Sequence, residues 1–299
     1  MMKMSSYKVI LFYKYVHLDN PVEIVNTHLE WCLNSNIRGR VFFAKEGVNG
    51  TVSGTIKNIE KYKAYLTSFP EFEDVWFKED ETNEHAFRKM HVRLKNEIVN
   101  GDLQNVSLEN GGRRLSPEEL LKFYADKTDF VIVDTRNWYE SKIGKFKNAI
   151  APQMKNFGEW KNAVAEELAQ YKDKTVVTYC TGGIRCKKAS AYMIEKGFKD
   201  VYQLDGGIFN FIKKFPDTYW EGGMFVFDER RVVNPNTKEE LLHIAKCHFC
   251  RKPTSYYINC HNVDCDRIIV SCHECKVKND YCCSDECRAS KNKRKVYHG

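Results

Sequence analysis

The sequence predicts an α/β protein in three parts: a small α+β unit, a parallel-sheet α/β unit and a compact metal-binding module. Three observations carry this. Residues 7–100 run strand, helix, strand, strand, helix, strand; residues 113–216 alternate apolar strands with helices; and nine of the twelve cysteines crowd into residues 247–287. A chain of 299 residues, 42% hydrophobic, can build two or three domains with sizeable cores. It holds no run of eighteen apolar residues, so no spanning helix and no membrane partner are expected. The apolar stretch near the N-terminus is short and broken by Lys14, with no small-residue cleavage site after it, so it does not read as a signal peptide. A cytoplasmic protein with reduced thiols is expected. The net charge of +7 permits an anionic partner without demanding one.

The first unit spans residues 1–100. YKVILFYKYV (7–16) is rich in β-branched and aromatic residues, which suits a strand. The next segment has a proline near its start and Val22, Val25, Leu29 and Leu33 at helical spacing. IRGRVFFAKEGVNGTVSGT reads as two strands around an EGVNG turn. IKNIEKYKAYLTSF is helical, and EFEDVWFKED and FRKMHVRLKNEIV return to strand. This β-α-β-β-α-β order is the ferredoxin-like, or acylphosphatase-like, pattern. It suits a recognition or packing module as readily as a catalytic one.

A polar stretch, residues 101–112, reads as a linker. Ser116 and Glu119 then have capping-box spacing, with Pro117 as the first helical residue. Within 113–216, FVIVDTR is a strand, FGEWKNAVAEELAQY a helix, TVVTYC a buried strand, KKASAYMIEKGF a helix closed by Gly197, and VYQLDGG a strand. Residues 217–246 are expected to connect this unit to the cysteine-rich tail, 247–299.

Cys180 falls where a strand gives way to a helix, the end of a parallel sheet at which ligands bind. Behind it come Thr181, Gly182, Gly183, Ile184 and Arg185. The glycines let the backbone curl so that several N–H groups point inward. The helix that follows adds its positive end, and Arg185 a full charge. All three favour the thiolate and lower the thiol pKa, which a nucleophile needs. A buried strand-end cysteine without chemistry is the plain alternative; glycines and an arginine directly after it argue against that. Cys186 lies in the first helical turn, either as a small core residue or as a second thiol able to pair with Cys180.

FVIVDTRNWYESKIGKFKNAIAP and VVTYCTGGIRCKKASAYMIEKGFKDVYQLDGGIFNF together resemble a rhodanese domain. The resemblance lies in Asp134, Arg136, Glu140, Gly144, the cysteine loop and LDGGI. It departs at Lys145, where rhodaneses often have histidine, and at Cys186, where many have a small residue. In rhodaneses the loop cysteine carries a persulfide. Related phosphatases have one more residue between cysteine and arginine, so the shorter loop here argues against phosphatase activity. AKEGVNGTVSG, CTGGIRC, GGMFVFDERRVV and the cysteine-rich tail extend the likeness along the whole chain: it resembles the bacterial rhodanese-related tRNA uridine hydroxylases. That resemblance implies hydroxylation of the wobble uridine of tRNA to 5-hydroxyuridine with molecular oxygen as co-substrate and Cys180 as the catalytic cysteine; it leaves the electron donor unnamed. The residues themselves show no two-histidine-one-carboxylate signature and no flavin or nicotinamide fingerprint. A sulfurtransferase carrying a persulfide on Cys180, and a non-enzymatic adaptor, are the rival readings.

In the tail, CHFC, CHNVDC, CHEC and CCSDEC supply cysteine pairs that could wrap tetrahedral ions, with short redox cysteine pairs the alternative. Eight thiolates would hold two structural zinc ions. The expected ligands are Cys247, Cys250, Cys260, Cys265, Cys272, Cys275, Cys283 and Cys287, with Cys282 left over. Crossed pairing is expected, Cys247 and Cys250 with Cys272 and Cys275, Cys260 and Cys265 with Cys283 and Cys287, with sequential pairing the alternative that the sequence leaves open. His248, His261 and His273 each stand beside a cysteine and read as bystanders. The basic end, Arg288, Lys291, Lys293, Arg294 and Lys295, is either a solvated tail or a set of phosphate contacts for RNA.

Overall fold

The computed structural model describes residues 6–237 and 240–295. The first five and last four residues of the expected outer units lie outside the described residues, as do 238–239 of the connecting segment. The N-terminal unit contains β1 (Tyr7–Tyr15), α1 (Pro21–Asn34), β2 (Arg38–Ala44), β3 (Gly47–Thr55), α2 (Ile56–Thr67), β4 (Lys78–Thr82) and β5 (Met90–Leu94). Its sheet order is β4-β1-β3-β2-β5, the ferredoxin-like arrangement with β5 added parallel to β2. The turn between β2 and β3 is tighter than EGVNG suggests: Val48 to Gly50 already belong to β3. Gly47 takes φ 132°, and a Cβ there would come within 2.0 Å of the Lys14 carbonyl oxygen. EFEDVWFKED becomes strand only from Lys78, after a short 3-10 turn at Pro70–Phe72.

Strand periodicity sorts this unit's side chains. Ile10, Phe12, Val41, Phe43, Val48 and Val52 pack beneath the two helices around Ile59, Tyr62 and Leu66. The alternate residues Val9, Leu11, Tyr13, Phe42 and Thr51 face away from those helices, into the next unit.

That unit comprises β6 (Arg113–Leu115), α3 (Pro117–Ala125), β7 (Phe130–Asp134), α4 (Trp138–Ile143), β8 (Gly144–Phe146), α5 (Trp160–Glu166), β9 (Thr175–Tyr179), α6 (Ile184–Glu195), β10 (Asp200–Leu204) and α7 (Gly207–Lys214). Strands β6-β10-β9-β7 form a wholly parallel sheet. Both its faces are covered: Val177, Tyr179, Leu204 and Phe211 fill one core, Val176, Trp160, Ala189 and Met193 the other. The Ser116–Glu119 capping box opens α3. The single helix expected over 157–171 is broken. The Leu168 N–H reaches back five residues to Ala163 O at 3.0 Å, which ends α5 and turns the fully buried Leu168 into the core.

Two expected connections are built into the fold instead. In the 101–112 stretch Leu103 is buried in the second core, and the Gly112 N–H donates to Ser190 Oγ at 2.9 Å. In the 217–246 segment β11 (Trp220–Gly222) pairs with β8, and β12 (Met224–Phe225) with β13 (Val232–Val233). The tail carries β14 (Tyr257–Asn259), β15 (Ile268–Val270), α8 (His273–Lys278) and α9 (Asp285–Ala289). Tyr257 and Ile268 pack on Tyr139, Ile143 and Phe225, so the tail rests against α4. Among the described residues no helix is long and apolar enough to cross a membrane.

Candidate active site

Cys180 follows β9 directly and is fully buried. The loop around it is held from outside. The N–H groups of Ile208 and Phe209, at the start of α7, bind the carbonyls of Cys180 and Thr181 at 3.0 Å. This explains LDGGI: a Cβ on Gly207 would lie 2.3 Å from the Cys180 oxygen. With the carbonyls turned out, the Gly183 N–H turns in and reaches Cys180 Sγ at 3.1 Å. Gly183 adopts φ 98°, where a side chain would be strained and would meet the Tyr13 hydroxyl.

Asp134 and Arg136 brace the neighbouring strand ends. Arg136 is fully buried and donates to both Asp134 oxygens and to the Gly144 carbonyl, while the Tyr179 hydroxyl donates to Asp134 Oδ2 at 2.8 Å. Arg185 does not reach freely into the loop: it forms a two-pronged pair with the buried Glu140 of α4, at 2.7 and 2.9 Å. Its orientation is thus fixed, and part of its charge is offset.

Burial acts to raise the Cys180 pKa, but it is outweighed. A hydrogen bond from Cys186, the Arg185 charge and the N–H groups of Arg185 and Gly183 bring it down to about 5. Burial and the bond it gives to Cys180 push Cys186 well above the ordinary thiol range. The two thiols are therefore unlike: Cys180 is set to be anionic, Cys186 to keep its proton and donate.

The N-terminal sheet roofs this loop. A Cβ on Gly182 would meet the Leu11 side chain at 2.6 Å, and the Tyr15 hydroxyl donates to Ile184 O at 3.2 Å. Lys188 of α6 is buried and pairs with Glu97 at 2.6 Å and Glu46 at 2.8 Å, both from the N-terminal unit. Arg230 joins Asp228 to Asp80 of β4. Between roof and loop lies a cleft of about 390 Å³ that opens onto Cys180, Thr181, Gly182, Ile184 and Arg185. Sequence reasoning missed the residues of β1, β2 and β4 that line it, along with Phe227 and Arg230. One signal was there: YKVILFYKY is apolar on both faces, as a strand covered on both sides should be.

The tail brings its cysteines together in two fours. Cys247, Cys250, Cys272 and Cys275 form one group, Cys260, Cys265, Cys283 and Cys287 the other, with the sulfurs of each within 4.8 Å of one another. All are free thiols. The Cys250–Cys272 and Cys265–Cys283 sulfurs stand 3.7 Å apart, and Cys283–Cys287 3.6 Å. A tetrahedral ion with metal–sulfur bonds of about 2.3 Å sets its ligands roughly 3.8 Å apart, so either group could hold a metal ion. Cys282 lies outside both, its thiol donating to Asp280 O at 3.4 Å, and neither group includes a histidine. Of the basic end, Arg294 is bound to Asp266 and the Cys260 carbonyl and Arg288 to Asp285, while Lys291 and Lys295 are exposed.

A doubly covered parallel sheet with a cysteine loop at the carboxyl end of a central strand defines a rhodanese-type protein, here with an added roof and a cysteine-rich tail. Residues 116–214 match the rhodanese-like domain, 7–98 the UPF0176 acylphosphatase like domain and 221–288 the family described as rhodanase C-terminal. Curated relatives match almost end to end. The tRNA uridine(34) hydroxylase of Acholeplasma laidlawii is 41% identical over 98% of this chain and 92% of its own length. That of Streptococcus gordonii is 42% identical over 97% and 90%, and that of Staphylococcus aureus 42% over 97% and 92%. The chain belongs to the tRNA uridine(34) hydroxylase family. Among solved structures, a rhodanese-like domain protein of Staphylococcus aureus is 22% identical over 33% of this chain and 90% of its own, at a TM-score of 0.29, too slight a likeness to argue from.

Proposed function

We propose that this protein hydroxylates uridine 34 of tRNA to 5-hydroxyuridine in the cytoplasm, with molecular oxygen as co-substrate and the Cys180 thiolate as the reactive group. The observation that carries the reading is the near full-length likeness to proteins of that name, which takes in the roof, the loop and the tail alike. The loop supports it chemically: a thiol held anionic at neutral pH faces a cleft large enough for a nucleotide. Thr181, Gly182, Gly183 and Ile184 shape the cradle, and Arg185 supplies its charge. One atom of the oxygen molecule enters the base; an external two-electron donor reduces the other to water. Two zinc ions, one in each group of four cysteines, would be structural, since closed four-sulfur sites leave no open position for chemistry. Lys291 and Lys295 at the exposed end are suited to contact RNA phosphates, positioning the tRNA without reading its sequence.

A persulfide on Cys180 is the second reading, favoured by the short loop, whose inward N–H groups suit a terminal sulfur. The two are separated by incubating tRNA from cells that lack the protein with purified protein in their lysate under labelled oxygen gas. Hydroxylation predicts 5-hydroxyuridine carrying the label. Unmodified uridine, or thiolated product, would overturn it.

A further inference from the structure

The roof of the Cys180 loop is more than packing. Its cleft, about 390 Å³, falls within the roughly 300–1,000 Å³ usual for small-ligand sites. Phe42, Phe87, Phe209 and Phe227 give it aromatic walls, the kind of surface on which a planar base stacks. Its polar groups are not all satisfied. Asn137 and Thr181 are among the residues that line the cleft, and their Oδ1 and Oγ1 are buried with no hydrogen-bond partner among the described residues. Such atoms are costly unless something fills the space beside them.

Lys78 is the third. It stands on β4, only 4% exposed, with its ammonium 4.1 Å from the Trp76 ring and 5.1 Å from the Tyr13 ring. Among the described residues no carboxylate pairs with it, unlike the buried Lys188 nearby, which has two. Burial lowers its pKa to about 8, and the anions that act against this are Cys180 and Asp205. A buried ammonium that stands on ring faces and lines the same cleft as a thiolate calls for an acceptor oxygen from a ligand.

We propose that this cleft takes the uracil ring of nucleotide 34, turned out of its stack, and that Lys78 reads the base by donating to its O4. This rests on the proposed function. An enzyme acting on a base atom must bring that base out of the stack to reach it. The aromatic walls fit a ring face, and O4 is the acceptor that separates uracil from cytosine, which carries an amino donor there. An ammonium cannot satisfy that donor. A flanking phosphate could offer Lys78 the same oxygen chemistry, and the test tells the two apart.

The full-length protein is mixed with anticodon stem-loop RNAs that carry uridine, cytidine or an abasic nucleotide at position 34, and alkylation of Cys180 by iodoacetamide is followed. The uridine RNA should slow alkylation about tenfold more than the other two, the discrimination of one good hydrogen-bonded contact. Lys78→Met should erase that preference and raise KM for the uridine RNA, and without RNA the pH inflection of Cys180 alkylation should move up, since a cation near the thiolate is lost; circular dichroism as in the wild type shows the fold intact. Equal protection by the abasic RNA would assign Lys78 to phosphate and overturn the base reading. Equal protection by the cytidine RNA, or a preference unchanged in Lys78→Met, would overturn it too, even while the wild type makes 5-hydroxyuridine and the proposed activity stands. Uridine-selective protection with no hydroxylated product would remove the activity and keep the pocket. The wild-type comparison decides by itself if Lys78→Met fails to fold.

Discussion

Cys180 and the tail cysteines are the same residue in opposite surroundings. In the tail each of the eight grouped sulfurs has three others within 4.8 Å, and each of these thiolates is expected to be consumed by a metal ion. In the loop a single anionic sulfur is held by N–H groups, a guanidinium and one thiol donor, and it faces a cleft. The difference lies in what surrounds a sulfur: other thiols on all sides in one case, N–H donors and a cation in the other. Four together close a site; one with donors on one side and space on the other leaves it open.

The sharpest break between the two is metal. Chelation should unfold residues 247–287, since a structural site of this type contributes about 10–16 kcal/mol to folding. The parallel sheet should keep its protection from amide exchange, because its cores at Val176 and Val177 do not depend on the tail. Thiol labelling reads both at once: Cys180 should react before chelation and the eight grouped cysteines only after it. Cys283→Ser should lower the metal content and Cys282→Ser leave it unchanged, as measured by metal analysis. Tail cysteines that label as fast as Cys180 in the untreated protein would erase the distinction.

Arg185→Ala acts on the loop alone and is the next largest effect. It leaves Glu140 buried and unpaired, which costs about 3–5 kcal/mol, read as a lowered denaturation midpoint. It also removes a cation beside the thiolate. The wild-type alkylation rate should rise through pH about 5 and then level off. In Arg185→Ala that inflection should move up by about one unit, some 1.4 kcal/mol. Arg185→Met with Glu140→Gln removes both charges and separates the two effects: stability should largely return while the inflection stays high. An inflection that does not move would give the site to the N–H groups.

Cys186→Ser should be the mildest change. A hydroxyl replaces the thiol that donates to Cys180, so the inflection should shift by less than in Arg185→Ala, and hydroxylation should persist. An inactive Cys186→Ser with a normal pH profile would point to a two-thiol reaction.

Much of this was legible in the sequence because it is local. Period-two and helical spacing pointed to both N-terminal units, the Ser116–Glu119 box marked its helix start, and the cysteine spacings allowed the crossed grouping the structure shows without excluding a sequential one. What escaped was non-local. The Glu140–Arg185 pair joins residues forty-five apart in the chain, and no spacing rule links them. The linker role given to 101–112 failed because its polar composition hides Leu103, one apolar residue that anchors the stretch in a core. The cleft itself belongs to two units at once. Only the doubly apolar β1 hinted that the first was covered on its outer face.

The central claim, that the Cys180 thiolate carries uridine 34 hydroxylation, is tested most directly by nucleoside mass spectrometry of tRNA from cells lacking the protein, complemented with wild type or with Cys180→Ser. Serine removes the thiolate and almost no volume, so the variant should accumulate as folded, metal-loaded protein. Wild type should restore 5-hydroxyuridine derivatives and Cys180→Ser should leave them absent. Restoration by Cys180→Ser would contradict the claim.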